Sequence, residues 1–332
     1  MTKNKKNILI NGLGRIGKSL FRQIAGNADF IGEISINADA SLDELVHKIK
    51  YDSVHGKFEK SLSHDSNFLL CDGRKISVSN ARKIEDLDLK KIDLVFECTG
   101  SFNSKKTIEK YINNGVKKVI VSAPCDDANK TVIFGVNHLQ ITAEDLIISA
   151  GSCTTNCLAP ICDVLVGSIG IEKGYMTTIH SYTNDQRVLD GSHQDPRRAR
   201  ACNLSIIPTK TGAATTIGKI IPPLEGKIDG SALRVPTPNV SLIDFNFIAK
   251  RNTTIEEVNN LFKSASQEGY KDIIEVAADP MVSVDFNQNT HSAIIDPFET
   301  KVIDGNFVRI LAWYDNETAF AARMIDIARY IS

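Results

Sequence analysis

Asn7-Ile8-Leu9-Ile10-Asn11-Gly12-Leu13-Gly14-Arg15-Ile16-Gly17 is the stretch whose reading decides the fold. Asn7 to Asn11 is a short apolar run of the kind that forms a buried strand. It enters a G-x-G-x-x-G turn, then a helical pattern through Leu20, Phe21 and Ile24 to Gly26, then a second strand from Ile31 to Asn37. Strand, glycine turn, helix and strand in that order predict a dinucleotide-binding β-α-β unit. In such a unit Gly12 permits the tight turn, Gly14 lets backbone approach a pyrophosphate, and Gly17 packs helix on strand. The helix N-terminus then faces the phosphates.

Working outward, further strands are predicted at Leu94-Val95-Phe96, ending in Thr99-Gly100, and at Val119-Ile120-Val121, ending in Ser122. Such strand ends form the crevice where nucleotides lie in parallel sheets. Asp72-Gly73-Arg74 reads as a hairpin turn between two alternating segments. NAD-specific sites place an acidic residue at the end of the second strand, where it holds the ribose 2′-hydroxyl. Here that strand ends Ile36-Asn37-Ala38-Asp39, and spacing alone leaves open whether Ala38 or Asp39 takes the diagnostic position.

The second half carries the chemistry. Gly151-Ser152-Cys153-Thr154-Thr155-Asn156-Cys157 opens an apolar run through Leu158, Ile161 and Leu165, with Pro160 near its start. Ser152 is the expected N-cap of a helix there. A cysteine in a first helical turn feels the positive end of the helix dipole, so the Cys153 thiolate is expected to be stabilised. Thr177 to Thr183 alternates like a strand and carries His180, a plausible base for that thiol. Arg197-Arg198-Ala199-Arg200 and Arg234-Val235-Pro236-Thr237-Pro238 are candidate anion clamps, with Arg197 alone read as solvated. Thr209-Lys210-Thr211-Gly212 reads as a polar turn able to offer donors to an anion.

Composition sets the class. The 332 residues are 42% hydrophobic and 24% charged, which suits a soluble globular chain of two domains. The net charge of -1 gives no global attraction for nucleic acid or an anionic membrane. Lys3, Lys5 and Lys6 precede Ile8-Leu9-Ile10, a run far too short for a signal sequence, so a cytoplasmic location is expected. Seven scattered cysteines, an odd number, do not resemble a disulfide framework and fit a reducing compartment. No Cys/His spacing suggests a metal site.

Several long motifs resemble the phosphorylating glyceraldehyde-3-phosphate dehydrogenase family, in the family's order along nearly the whole chain. They are Asn11 to Gly17, Lys50-Tyr51-Asp52-Ser53-Val54-His55-Gly56, Ser152 to Cys157, His180-Ser181-Tyr182-Thr183-Asn184-Asp185-Gln186, Arg234 to Val240, and Trp313-Tyr314-Asp315-Asn316-Glu317-Thr318. The resemblance implies an α/β chain: a Rossmann dinucleotide-binding domain over 1–152, completed by a C-terminal helix over 317–332. An α+β catalytic domain with a mixed or antiparallel sheet would span 153–316. That helix is expected to be amphipathic, with Phe320, Met324, Ile327, Ala328 and Ile331 on one face.

The resemblance also implies roles. Cys153 attacks the aldehyde of glyceraldehyde 3-phosphate, and His180 moves the proton. Inorganic phosphate then cleaves a Cys153 thioester to give 1,3-bisphosphoglycerate. Thr183 and Arg234 match the substrate-phosphate positions. Arg198, Thr211 and Gly212, with Ser152 and Thr154, match the inorganic-phosphate side. Gly12, Gly14, Arg15, Ile16, Arg82, Thr99, Ser122 and Asn316 fall at cofactor positions for NAD or NADP, Asn316 orienting the nicotinamide carboxamide. A homotetramer is implied as well.

Two departures bear on the cofactor. Aligned through Lys50 to Ser53, the family's NAD-selective aspartate falls on Ala38, and Gly191-Ser192 stands where NAD-specific members carry Leu-Pro. A carboxylate at ~4 Å from a 2′-phosphate costs up to about 4 kcal/mol at an effective dielectric near 20. Its loss shifts preference by roughly two or three decades. NADP is therefore expected to be accepted or preferred, with Ser192 adding a hydroxyl donor. Against this, no arginine is evident for the 2′-phosphate, and Asp39 is adjacent. The nearest rival is erythrose-4-phosphate dehydrogenase, disfavoured by Ser181 to Asn184 and by Thr211-Gly212. A Cys/His thiol hydrolase would leave the Gly12-Gly14-Gly17 fingerprint idle.

Overall fold

A computed structural model describes residues 5–25 and 29–332. Lys3 and Gly26, read above as part of a basic start and as a helix end, lie outside the described residues. The chain divides into two compact units, residues 1–151 with 321–332, and residues 152–320.

The first unit is built on a nine-stranded sheet. In chain order its elements are β1 (Lys6–Asn11), α1 (Arg15–Ile24), β2 (Ile31–Asn37), α2 (Leu42–Lys50), β3 (Leu62–His64), β4 (Phe68–Cys71), β5 (Arg74–Ser79), β6 (Leu94–Glu97), α3 (Lys105–Asn113), β7 (Lys118–Val121), β8 (Lys130–Thr131) and β9 (Ile147–Ser149). The strand order is β3-β4-β5-β2-β1-β6-β7-β9-β8. All neighbours from β5 to β8 run parallel, and β3-β4-β5 is an antiparallel extension. Ile8, Leu9 and Ile10 are all buried, as a central parallel strand requires. The chain leaves β1 toward β2 on one side and later returns to β6 on the other, so β1 and β6 form the switch point where such sheets bind ligands. The hairpin turn is where it was expected, with Asp72 at φ 47° and Gly73 at φ 79° between β4 and β5. Ser41 and Glu44 close a capping box on α2.

The second unit carries a seven-stranded mixed sheet. Its elements are α4 (Cys153–Val166), β10 (Ile171–Ser181), β11 (Ile207–Thr209), α5 (Ala213–Ile220), β12 (Ile228–Val235), β13 (Ser241–Ala249), α6 (Ile255–Gln267), β14 (Ile274–Val276), β15 (Ala293–Ile303), β16 (Phe307–Tyr314) and the start of α7 (Thr318–Tyr330). The order is β11-β12-β10-β13-β16-β15-β14. Burial alternates residue by residue along β13, so one face packs and the other is partly open.

α4 starts at Cys153 behind the expected Ser152 cap and runs through Pro160, giving up the bond its missing N–H would have made. On α7 the expected face of Phe320, Met324, Ile327 and Ala328 is buried and burial extends to Ala321, Ala322, Arg323 and Ile325, while Arg329 and Tyr330 stay exposed. From Ala321 it counts with the first unit, where Arg329 lies over the Phe30 ring and Tyr330 meets His138 edge-on. Among the described residues, no helix is long and apolar enough to cross a membrane.

Candidate active site

In the first unit, the glycine turn sits at the switch point. A Cβ on Gly12 would fall 2.7 Å from the Thr99 amide nitrogen, and its φ of 90° disfavours any side chain. A Cβ on Gly17 would meet the Gly12 carbonyl oxygen at 2.0 Å and Cys98 Cβ at 3.3 Å, so this glycine lets the helix pack against the ends of β1 and β6. Gly14, the N-cap of α1, has open space at its Cβ position, makes no side-chain cap bond, and is followed by no acid in the first turn. An uncapped helix start facing open space suits the pyrophosphate of a dinucleotide. Arg15 is the first residue of α1 and Ile16 the second.

The strand ends around this turn are tied together by a buried carboxylate. Glu97 accepts from Asn11 Nδ2 at 2.7 Å, Tyr111 Oη at 2.8 Å, Thr99 N at 2.8 Å and Thr99 Oγ1 at 2.6 Å. Burial pushes its pKa up against these four donors. Asn37 Nδ2 donates to Asn11 Oδ1 at 2.7 Å, and Asn37 Oδ1 accepts from Ala81 N. The network therefore joins the Thr99 turn to the loop after β5. Ser122 donates its backbone N–H to the Glu97 carbonyl.

β2 stops at Asn37, Ala38 follows directly with its N–H on Ser79 O, and Asp39 points to Arg82 at 3.2 Å on the exposed surface. Arg82, already matched to a cofactor position, is brought beside Asp39 by the end of β5.

In the second unit, Ser152 caps α4, its hydroxyl accepting from Thr155 N at 3.1 Å. Cys153 is the first helical residue, partly exposed, with Sγ 3.3 Å from His180 Nε2. β10 and β12 run parallel with His180 opposite Arg234. Arg234 Nη1 lies 2.8 Å from His180 Nδ1 and donates to the Ser181 carbonyl at 2.9 Å. His180 Nδ1 is itself 2.7 Å from that carbonyl. The two contacts at Nδ1 belong to different tautomers. A proton on Nδ1 donates to Ser181 and leaves Nε2 as an acceptor for the thiol proton. A bare Nδ1 accepts from Arg234, and Nε2–H then supports the thiolate.

Burial, followed by the Arg234 charge, lowers the His180 pKa to about 3, so the ring is neutral. The expected thiolate stabilisation is corrected in sign. Burial pushes the Cys153 thiol up, and the opposing pull of Arg234 and of the Thr154 amide in the first turn does not overcome it. The helix start is real, but desolvation is the larger effect. Buried Arg234 Nε has no hydrogen-bond partner, which marks a donor aimed at an anion.

The remaining predicted residues divide. The Thr154 hydroxyl is buried, 3.0 Å from Tyr314 Oη, which also reaches Thr178 Oγ1 at 2.8 Å. Asn316 Oδ1 accepts from Ser181 Oγ at 2.8 Å and Ser241 Oγ at 3.0 Å, which fixes the direction of its amide donors. Thr211 Oγ1 accepts from Ala213 N, and Gly212 caps α5 with free space at its Cβ position. Arg198 is held by Asp185 at 2.5 Å and donates to Thr209 Oγ1 at 3.0 Å. Thr183 N donates to Gln186 Oε1. Exposed Ser192 accepts from Arg187 Nε through its carbonyl. Arg200 pairs with Asp190, while Arg197 is exposed. Sequence reasoning missed Glu97, Asp52, Asp185 and Tyr314 as site residues. A carboxylate ending the apolar run Leu94-Val95-Phe96 was the visible signal for Glu97. The others lay inside quoted motifs without a role. Among the described residues no cluster of three or more His, Cys, Asp or Glu is placed to hold a metal ion.

A dinucleotide-binding α/β unit together with a unit bearing a thiol beside an imidazole defines an NAD(P)-dependent oxidoreductase. Two family models match: glyceraldehyde 3-phosphate dehydrogenase, NAD binding domain, over residues 6–105, and glyceraldehyde 3-phosphate dehydrogenase, C-terminal domain, over residues 152–316. The chain is 46% identical over 323 residues to a glyceraldehyde-3-phosphate dehydrogenase of Cereibacter sphaeroides, covering 97% of each. It is 45% identical over 331 residues to glyceraldehyde-3-phosphate dehydrogenase 2 of Bacillus subtilis, covering 99% of this chain and 97% of that one. A Geobacillus stearothermophilus glyceraldehyde-3-phosphate dehydrogenase is 45% identical over 326 residues, 97% of each. The chain belongs to the glyceraldehyde-3-phosphate dehydrogenase family.

Proposed function

We propose that this chain oxidises glyceraldehyde 3-phosphate with inorganic phosphate to 1,3-bisphosphoglycerate, using NAD or NADP. The observation that carries the reading is Cys153 Sγ at 3.3 Å from His180 Nε2, at a helix start and beside Arg234. Arg234 and Thr183 take the phosphate of the aldehyde. With Arg234 so engaged, His180 keeps its Nδ1 proton on the Ser181 carbonyl, and Nε2 takes the thiol proton. Cys153 Sγ adds to the aldehyde carbon, and the imidazolium protonates the resulting alkoxide to give a hemithioacetal.

When bound, the oxidised nicotinamide ring supplies the hydride acceptor. His180 removes the hydroxyl proton as the carbonyl re-forms, which leaves a thioester on Cys153. Inorganic phosphate, held by Arg198, Thr211, Gly212, Ser152 and the Thr154 amide, attacks the thioester carbon. The C–S bond breaks, the acyl phosphate forms, and sulfur leaves as thiolate. Gly12, Gly14, Arg15, Ile16, Thr99, Ser122 and Asn316 would hold the dinucleotide. The open, uncapped start of α1 supports that fit.

The cofactor reading is that NADP is accepted or preferred. Ala38 removes the repelling carboxylate, and Arg82 stands at the same corner, paired with Asp39 only through two exposed side chains. Ser192 replaces apolar bulk with a hydroxyl. Exposed Val188, Leu189, Leu204 and Ile206 support burial of the 182–206 segment in a homotetramer.

The test is the absorbance of reduced nicotinamide with glyceraldehyde 3-phosphate and phosphate, comparing NADP with NAD. Turnover that requires phosphate supports the activity, and its absence sinks it. The triple variant Ala38→Asp, Gly191→Leu, Ser192→Pro is expected to move the NADP/NAD preference toward NAD by roughly 100-fold. An unchanged ratio would discard the cofactor reading alone.

A further inference from the structure

The motif Lys50 to Gly56 carries part of the family resemblance, yet nothing in the proposed chemistry uses it. It leads out of α2 as a strap across α1. The Asp52 carboxylate has no solvent-exposed surface and is gripped by two cationic side chains and two backbone amides. Arg15 donates to it in a fork, Nη1 to Oδ2 at 2.6 Å and Nη2 to Oδ1 at 3.2 Å. Lys18 pairs with Oδ2, and the amides of Val54 and His55 donate to Oδ1 at 2.8 and 2.9 Å.

A second fastening lies farther along the same helix. Arg22 donates to the carbonyls of Ile49 and Gly56 at 2.8 and 2.9 Å and lies over the Phe58 ring. Arg15, Lys18 and Arg22 stand at i, i+3 and i+7, one stripe of α1, and the strap holds all three. The strap also closes on itself, Phe58 N donating to Lys50 O and Gly56 N to Asp52 O.

Arg15 is the first residue of a helix whose open end follows Gly14. A long, rotamer-rich side chain at that point would sweep the space a pyrophosphate needs. The planar fork onto a buried carboxylate removes that freedom. We infer that Asp52 is a positioning residue for the dinucleotide: it holds Arg15 and the first turn of α1 in the geometry that receives the pyrophosphate. This rests on the reading of the first unit as a dinucleotide site.

Electrostatics alone predicts the opposite sign. Asp52 is a negative charge near a site for an anion, so its removal would tighten binding if charge count were all that mattered. The sign of the effect therefore decides. Binding of NADH and NADPH to the full-length protein is followed by the change in nicotinamide fluorescence. Asp52→Asn is expected to weaken both by about tenfold while kcat at saturating cofactor stays within about twofold. Arg15→Gln should weaken them comparably, and adding Asp52→Asn to it should cost little more, the signature of two residues acting as one unit. Lys18→Met, which leaves the Arg15 fork intact, should stay within about twofold.

Unchanged or tighter binding by Asp52→Asn overturns the inference, as does full additivity with Arg15→Gln. If Asp52→Asn does not fold, the other pair decides. Weakening by Arg15→Gln but not Lys18→Met supports positioning, and equal weakening overturns it. A wild-type protein that binds neither dinucleotide overturns the cofactor reading itself.

Discussion

Arg15 in the first unit and Arg234 in the second are both arginines beside a proposed site for phosphate, and their surroundings differ. Arg15 is matched by a buried carboxylate that it shares with Lys18, so its direction is set before any ligand arrives. Arg234 lies against a neutral imidazole and a carbonyl, with its buried Nε unpartnered and, among the described residues, no carboxylate paired to it. Burial lowers its pKa first, and the nearby Cys153 only partly offsets that. A satisfied cation serves geometry. An unsatisfied one is held at a cost that a bound dianion relieves, so it is the one able to tie substrate binding to chemistry.

The largest break in this comparison comes from the thiol. Cys153→Ser leaves both arginines in place and should lower phosphate-dependent kcat by roughly 10⁴-fold or more while dinucleotide binding persists. Residual turnover near wild type would remove Cys153 from the reaction. Arg234→Leu is next, with kcat/KM for glyceraldehyde 3-phosphate falling about 100-fold or more. Turnover of an aldehyde without a phosphate should fall far less. Equal losses for the two aldehydes would show that Arg234 does not read the phosphate.

The smallest effect is on stability, and it separates the two units by pH. The folded His180 pKa of about 3 lies below the unfolded value near ~6.5, so between those values the unfolded chain binds the extra proton and stability falls with acidification. At Asp52, burial raises the pKa, but Arg15, Lys18 and two amides outweigh it and hold the carboxyl far below the usual range. Its contribution is present above the unfolded value near ~3.9 and is lost only below it. Thermal midpoints from pH 8 to 5 should therefore fall less in His180→Asn than in wild type. Over the same range Asp52→Asn should run parallel to wild type at a lower level, converging only below about pH 4. A wild-type curve that His180→Asn reproduces would mean the imidazole takes up its proton in the folded protein as readily as in the unfolded chain.

Local features were legible in sequence because each is written in adjacent residues. The Gly12 turn, the strand Ile31 to Asn37, the hairpin at Asp72-Gly73 and the Ser152 cap all follow from backbone rules over a few positions. Burial was less legible: α4 tolerates Pro160 in its interior, and on α7 Arg323 is buried along with the apolar face. The helix dipole at Cys153 was readable, but the desolvation that outweighs it was not.

By itself, then, the sequence determined the β-α-β unit, the capped cysteine and the family, since contiguous motifs encode them. Tertiary structure alone decided which groups meet. His180 and Arg234 become neighbours through strand register across 54 positions, and Tyr314 reaches Thr154 across 160. Arg82 comes to Asp39, and Asp52 to Arg15, by the same kind of return. The reason is physical. A hydrogen bond or ion pair acts over a few ångströms, and only the packed sheets determine which distant residues come that close.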